Sequence, residues 1–192
     1  MMLNQIFRLV VVTAAIHAVA ACSSLPTARG QIAEGARADL ALLETTDLHT
    51  NILSYDYFKL AEDKTVGFER VAARINEARK QFANTLLFDN GDTIQGTALS
   101  DYQAQVNPLP CSETLAMYKV MNELGYDAGG IGNHEFNYGL SFLSQVTGNR
   151  FNVNLRGGER PIPAQPCAGP NFPLVLANVL SVKDRQPLFK PY

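Results

Sequence analysis

Three short polar runs, each directly after a predicted strand, contain the residues that could do chemistry. Asp47 and His49 form an Asp-Leu-His run, Asp92 follows Gly91 in a Gly-Asp run, and residues 132–135 read Gly-Asn-His-Glu. Carboxylates, imidazoles and an amide make a mixed oxygen and nitrogen donor set, which suits divalent ions such as Zn, Mn, Fe or Mg. Two ions about 3.5–4 Å apart, bridged by a carboxylate, can clamp the attacking and leaving oxygens of a phosphoryl displacement. The three runs therefore predict a divalent metal site for phosphate ester hydrolysis.

Each of these runs is a weak signal when it is taken alone. An Asp-x-His triplet occurs by chance in many chains, and Gly-Asp is an ordinary turn dipeptide. A single histidine such as His134 is more often a satisfied loop residue. The combination is more specific, because the three runs follow one another in order and each stands at a predicted strand end.

The elements that must position these runs alternate between strand and helix. Apolar runs predict strands over residues 40–46, 85–89, 126–131 and 173–178. Apolar side chains at helical spacing predict a helix from Gly67 to Phe82, a second helix from about 115 to 124 that ends near Gly125, and a short third helix around Leu140 and Leu143. This order predicts a layered α/β fold, in which polar site residues collect at the carboxyl ends of the strands.

The first 38 residues have the pattern of a targeting segment. Arg8 precedes the short apolar stretch 9–21, which is typical of an export signal over residues 1–21. The run that ends at Cys22 resembles a bacterial lipobox, with the lipid placed on Cys22, whereas residues 18–20 also fit ordinary cleavage. Lipidation of Cys22 leaves an even number of cysteines, which favours the lipobox. Residues 22–38 are then the lipidated cysteine and its tether, and the folded domain covers 39–192.

The composition excludes two broad classes of protein. Apolar residues make up 46% of the chain and charged residues 18%, which argues against a disordered chain. The 16 basic and 18 acidic residues give a net charge of −2, which argues against nucleic acid as a partner. The segment 156–172 is rich in proline and glycine and predicts a surface loop. Cys111 also lies in a proline-flanked loop. Either Cys111 and Cys167 form a disulfide, or they are two unrelated loop thiols.

The three polar runs resemble the motifs of the calcineurin-like metallophosphoesterases. The neighbouring residues 44–49, 88–96, 131–139 and 177–179 are similar to the bacterial 5′-nucleotidase group. Within that group they most resemble the periplasmic 2′,3′-cyclic-nucleotide 2′-phosphodiesterase/3′-nucleotidases. The resemblance covers about residues 39–192 and implies the amino-terminal part of a metallophosphoesterase-type α/β sandwich, which is incomplete here.

The resemblance implies a metal-ligating role for four residues. Asp47 and His49 would hold the first ion, Asp92 would bridge both ions, and Asn133 would hold the second. The implied cofactor is a pair of divalent ions, drawn from Zn, Mn, Fe, Mg or Co.

The resemblance also implies catalytic roles for His134 and Asn137. His134 would stabilise the transition state or protonate the leaving oxygen, which an imidazole near the metal pair can do. Asn137 stands where 5′-nucleotidases often carry an aspartate that supports this histidine. An asparagine orients the ring without stabilising its positive charge, which favours the cyclic-phosphodiesterase branch.

The implied activity is hydrolysis of 2′,3′-cyclic nucleotides and 3′-nucleotides to nucleoside and phosphate, in the periplasm or cell envelope. The partners are then nucleotide substrates and, through the lipid anchor, a membrane; the oligomeric state stays open. The family completes its site with later histidines and adds a carboxy-terminal nucleotide-binding domain. No histidine follows residue 134 here, so we expect this chain alone to be inactive or impaired. The alternatives are a 5′-nucleotidase or nucleotide-sugar hydrolase, and a non-catalytic anchored lipoprotein.

Overall fold

The computed structural model describes residues 33–191. The predicted export signal, Cys22 and most of the predicted tether lie outside the described residues. Residues 33–38 are exposed and contain one turn, and the remaining residues from Asp39 form a compact unit of their own. Between residues 33 and 191, no helix has the length and apolar character needed to cross a membrane.

A parallel sheet of four strands organises the unit that starts at Asp39. Its strands are β1 (Ala41–Thr45), β4 (Thr85–Asp89), β5 (Ala128–Gly130) and β6 (Leu174–Val175), and they lie side by side in that order. Two short strands, β2 (Tyr55–Asp56) and β3 (Ala61–Glu62), form a separate antiparallel hairpin. Thr45 pairs with Asp89, and Asp89 pairs with Gly129. The carboxyl ends of three neighbouring strands therefore lie at one edge of the sheet.

Helices fill the connections between these strands. They are α1 (Phe68–Gln81), α2 (Ala98–Asp101), which continues into a π-helical turn (Tyr102–Val106), α3 (Ala116–Leu124) and α4 (Leu140–Thr147), with a 3₁₀ turn at His134–Phe136. The predicted α/β class is confirmed, and α1, α3 and α4 lie where apolar spacing placed helices. The predicted strands 126–131 and 173–178 are shorter than expected, because only three and two of their residues pair in the sheet.

One hydrophobic cluster unites the strands and the helices. Leu87 of β4, Met117 of α3, and Leu143 and Val146 of α4 are fully buried in it. The edge strand β1 has a different environment, because its residues alternate between half-buried and exposed positions. Leu42 in its middle is 66% exposed, so one face of β1 is uncovered in the described part of the chain.

Two further connections hold the segments around α3. The guanidinium group of Arg79 at the end of α1 donates to the carbonyl oxygens of Leu124 and Gly125, where α3 ends. These oxygens have no partner within the helix, so the contact satisfies them and joins α1 to α3. Cys111 and Cys167 form a disulfide with an S–S distance of 2.07 Å, which joins the segment before α3 to the proline-rich loop after α4.

Candidate metal centre

The loops that follow β1 and β4 run side by side and carry the first candidate ligands. The N–H group of Asp47 donates to the carbonyl oxygen of Gly91 (3.1 Å), and the N–H group of His49 donates to that of Asp92 (3.0 Å). One residue further, Thr50 N–H donates to the carbonyl oxygen of Thr93 (2.9 Å). The hydrogen bonds thus continue the parallel pairing beyond the strand ends and place the Asp-Leu-His run beside the Gly-Asp run.

The backbone of these two loops is strained. Asp47, His49, Thr50 and Asp92 have φ angles of 54°, 47°, 57° and 56°, in the left-handed region that residues other than glycine rarely adopt. Such conformations cost about 1–3 kcal/mol each and persist where the surrounding structure enforces them, often at functional sites. Among the non-glycine residues elsewhere in 33–191, only Leu60 and Arg185 share them, so the strain is concentrated at this edge of the sheet.

The carboxylate of Glu135 joins the loop after β5 to the loop after β4. Its side chain is buried, with the residue only 1% exposed. One carboxylate oxygen accepts from the N–H groups of Asp92 (2.9 Å) and Gly132 (2.7 Å), and the other accepts from those of Thr93 (2.5 Å) and Ile94 (3.2 Å). Hydrogen bonds from four backbone donors offset the cost of burying a negative charge. Glu135 therefore holds the Asp92 turn in place.

The Asp92 side chain lies against the third polar run. Its Oδ1 accepts a hydrogen bond from the N–H group of His134 (2.8 Å). A Cβ atom at Gly132 would overlap this same oxygen and would lie 2.7 Å from the Asp92 nitrogen, so the approach requires glycine. The Gly-Asn-His-Glu run is thereby packed directly on Asp92.

The structure brings four of the predicted site residues together. His49, Asp92 and His134 each offer one ligand atom, and these three atoms lie within 4.8 Å of one another. The two imidazole rings meet edge to face with their centroids 4.9 Å apart. Asp47 Oδ1 lies 3.6 Å from His49 Nε2. Asn133 precedes His134 and is exposed, and its side chain has no recorded hydrogen bond to any other described residue.

The donor set fits a divalent metal ion. His49 Nδ1 lies 2.6 Å from the carbonyl oxygen of Gln95. A carbonyl oxygen only accepts, so Nδ1 carries a proton, and in the neutral ring the lone pair of Nε2 then lies on the side of Asp47. Metal-binding histidines in proteins commonly donate their other ring N–H in this way, which fixes the tautomer. Asp47, His49 and Asp92 therefore offer oxygen and nitrogen ligands to an ion at this edge of the sheet.

His134 is held from its other side by two amide side chains. Its Nδ1 lies 2.7 Å from Oε1 of Gln95 and 2.9 Å from Nδ2 of Asn137. Asn137 thus lies in contact with His134, the histidine that the family resemblance implies it supports. Sequence reasoning gave no role to Gln95 or Glu135, although both stand inside the quoted motifs. The only sequence signal was their position inside these motifs. Their contacts join residues far apart in the chain, and such contacts produce no spacing pattern.

A second buried carboxylate, that of Asp89, lies beneath the centre at the end of β4. Burial raises the pKa of Asp89 above its ordinary value, because removal from water disfavours the charged form. Hydrogen bonds from the Thr45 hydroxyl (2.6 Å), the Thr93 hydroxyl (2.5 Å) and the Gly91 N–H group (3.0 Å) act in the opposite direction. Asp89 therefore supports the turn that presents Asp92.

The substitution Glu135→Gln tests the anchoring role of this carboxylate. It replaces one acceptor oxygen by an NH₂ group that faces backbone N–H donors, so at least one buried donor loses its partner. We expect the free energy of unfolding, measured by urea denaturation, to fall by about 1–3 kcal/mol. The matched control is Glu123→Gln on the exposed side of α3, with an expected change within about 0.5 kcal/mol. Equal unfolding midpoints for the two variants would contradict the anchoring role.

The chain is similar to known proteins in sequence and in fold. Over 160 residues the chain is 44% identical to a 2′,3′-cyclic-nucleotide 2′-phosphodiesterase/3′-nucleotidase of Yersinia enterocolitica, which covers 83% of this chain and 21% of that protein. It is 38% identical over 156 residues to the trifunctional nucleotide phosphoesterase protein YfkN of Bacillus subtilis, with 80% of this chain and 9% of that protein covered. No family model matches the chain.

A solved structure supports the same relationship. The calcineurin-like phosphoesterase YfkN from Bacillus subtilis superimposes with a TM-score of 0.67 at 36% sequence identity, over 81% of this chain and 41% of that one. The chain spans about a fifth of the length of its Yersinia relative. The agreement of sequence, fold and strand-end motifs shows that the chain belongs to the calcineurin-like phosphoesterases, a family of hydrolases.

Proposed function

We propose that the protein, as purified from its native cells, hydrolyses 2′,3′-cyclic nucleotides and 3′-nucleotides to nucleoside and phosphate, and that the 192 residues taken alone are inactive or impaired in this reaction. The observation that carries this proposal is the grouping of His49, Asp92 and His134 at the carboxyl ends of adjacent strands, with their ligand atoms within 4.8 Å. The name of the Yersinia relative supports the substrate class. Asn137 against His134, in place of an aspartate, favours this class over 5′-nucleotides.

The proposed residues divide into ligands and proton carriers. Asp47, His49, Asp92 and Asn133 would hold a pair of divalent ions, with Asp92 shared between them. Such ions stabilise negative charge on phosphoryl oxygens and lower the pKa of water.

His134 and Asn137 act on the leaving group. As the oxygen of water bonds to phosphorus, the ester bond between phosphorus and the ribose oxygen breaks. The His134 ring faces the centre, and in its protonated form it would supply the proton on Nε2 to that ribose oxygen, which leaves as a hydroxyl group. Asn137 keeps the ring in the orientation that this transfer needs.

An open cavity beside Asp47 supports an anionic substrate. It has a volume of about 640 Å³ and lies between the end of β1 and helix α1. Arg70 and Arg74 line it from one turn of α1 to the next. Guanidinium groups are well suited to recognise phosphate, so the cavity offers positive charge next to the proposed centre.

Phosphate release by the protein purified from its native cells tests the proposed activity. We expect turnover of 2′,3′-cyclic AMP and 3′-AMP that is lost on chelation and restored by Mn²⁺ or Zn²⁺. We expect Asp92→Asn to lower kcat by about 100-fold or more, because loss of an outer partner of a metal site already costs about 10–100-fold. The matched control Asp39→Asn changes an exposed carboxylate outside the centre and should retain full turnover. Turnover that persists after chelation, or an Asp92→Asn variant with unchanged kcat, would refute the proposal. Faster turnover of 5′-AMP than of 3′-AMP would identify the protein as a 5′-nucleotidase instead.

We also propose that the protein is exported and anchored through a lipid on Cys22. The apolar stretch 9–21 supports export. The disulfide between Cys111 and Cys167 supports it independently, because disulfides persist in oxidising compartments.

The intact mass of the mature protein from its native membranes tests this anchor. We expect a chain that begins at Cys22 and carries the additional mass of a diacylglyceryl group. Cys22→Ser should remove this addition and release the protein from the membrane fraction. A mature chain that carries no lipid would contradict the anchor, and ordinary cleavage near residue 20 would replace it.

A further inference from the structure

We infer that Gln95 is a positioning residue that orients both histidines of the centre, one through its backbone and the other through its side chain. The inference deepens the proposed function and rests on it. The geometry points to Gln95 because it is the one residue that contacts the Nδ1 atoms of both rings in the recorded hydrogen bonds of residues 33–191.

The contact with His49 is made by the backbone of Gln95. Its carbonyl oxygen lies 2.6 Å from His49 Nδ1 and accepts the ring proton. A substitution of the Gln95 side chain leaves this acceptor in place. The orientation of His49 therefore depends on where the backbone at residue 95 lies.

The contact with His134 is made by the side chain of Gln95. Its Oε1 lies 2.7 Å from His134 Nδ1 and 3.2 Å from Nδ2 of Asn137. An amide oxygen has two lone pairs, so it can accept from the ring and from the asparagine together. Nδ2 of Asn137 is a donor and also lies 2.9 Å from His134 Nδ1, so this contact favours the opposite tautomer, in which Nδ1 accepts. The shorter contact with Gln95 decides between them: it holds His134 in the Nδ1–H tautomer with Nε2 facing the centre, and the Asn137 amide donates to Oε1 instead.

The backbone on both sides of Gln95 is well anchored. Ile94 before it is fully buried, and its N–H group donates to Glu135 (3.2 Å). Gly96 after it donates to the hydroxyl of Ser100 (3.1 Å), which is itself buried and caps α2. Since the backbone of Gln95 is held at both ends, its carbonyl oxygen has a defined position, and its side-chain oxygen reaches His134 from this anchored residue. This arrangement sets the edge-to-face contact of the two rings, whose centroids lie 4.9 Å apart.

The test combines histidine tautomers with turnover. The full chain, labelled with ¹⁵N-histidine and freed of metal by chelation, is examined by long-range ¹H–¹⁵N correlation at a pH where the rings are neutral. His134→Gln and His49→Gln assign the signals. We expect the Nδ1–H tautomer at both rings. In Gln95→Leu, His134 should move to the Nε2–H tautomer, which a free imidazole prefers in water, whereas His49 should be unchanged.

Two further variants separate positioning from a general structural effect. Gln95→Glu keeps an oxygen acceptor and should restore the Nδ1–H tautomer of His134. Gln81→Leu at the exposed end of α1 is the matched control and should alter neither ring. In the metal-loaded protein, Gln95→Leu should lower kcat by about 10- to 100-fold with little change in KM, as expected for an outer partner of a metal site.

The outcomes distinguish this inference from the proposed function. If His134 keeps its Nδ1–H tautomer in the Gln95→Leu variant, the inference is overturned. It is also overturned if the tautomer changes and kcat does not. If the unsubstituted protein releases no phosphate from any nucleotide, the proposed function fails. The tautomer measurement then still decides whether Gln95 orients His134.

Discussion

The hydrogen bonds that Glu135 accepts from four backbone N–H groups hold two strand-end loops together, and the candidate centre depends on them. The bonds join Gly132 to residues 92–94, so the turn after β4 cannot move away from the loop after β5. The parallel pairing of β1 with β4 then extends to the loop after β1. The three strand-end loops thereby gain defined positions from one buried carboxylate and one backbone ladder.

The same anchoring accounts for the strained backbone of the ligand loops. Four left-handed residues, at positions 47, 49, 50 and 92, would relax in an isolated loop. In this structure each of them takes part in a backbone hydrogen bond to the neighbouring loop or to Glu135. The strain directs the side chains of Asp47, His49 and Asp92 to one edge of the sheet. The stability of the fold thus maintains a strained arrangement of polar groups at this edge.

Much of the fold and part of the site could be predicted from the sequence. The helix around Ile75 shows apolar residues at helical spacing and Leu87 lies in a short apolar run, because burial enforces both patterns. The position of polar residues at strand ends follows from the geometry of an α/β sheet. The hairpin of β2 and β3 could not be predicted, because strands of two residues have no alternation to detect. Glu135 could not be assigned a place either, since an isolated glutamate in a loop is usually exposed and only the converging N–H groups explain its burial. The role of Gln95 depends on contacts with His49 and His134 across loops, which spacing along the chain does not reveal.

The proposed function requires that the three strand-end loops form one divalent metal centre. Anomalous X-ray scattering from crystals of the protein grown with Mn²⁺ tests it most directly, because the manganese position is located independently of the protein coordinates. We expect an anomalous peak bounded by the side chains of Asp47, His49 and Asp92. A peak at another place, or none beside Asp92 at saturating Mn²⁺, would contradict it.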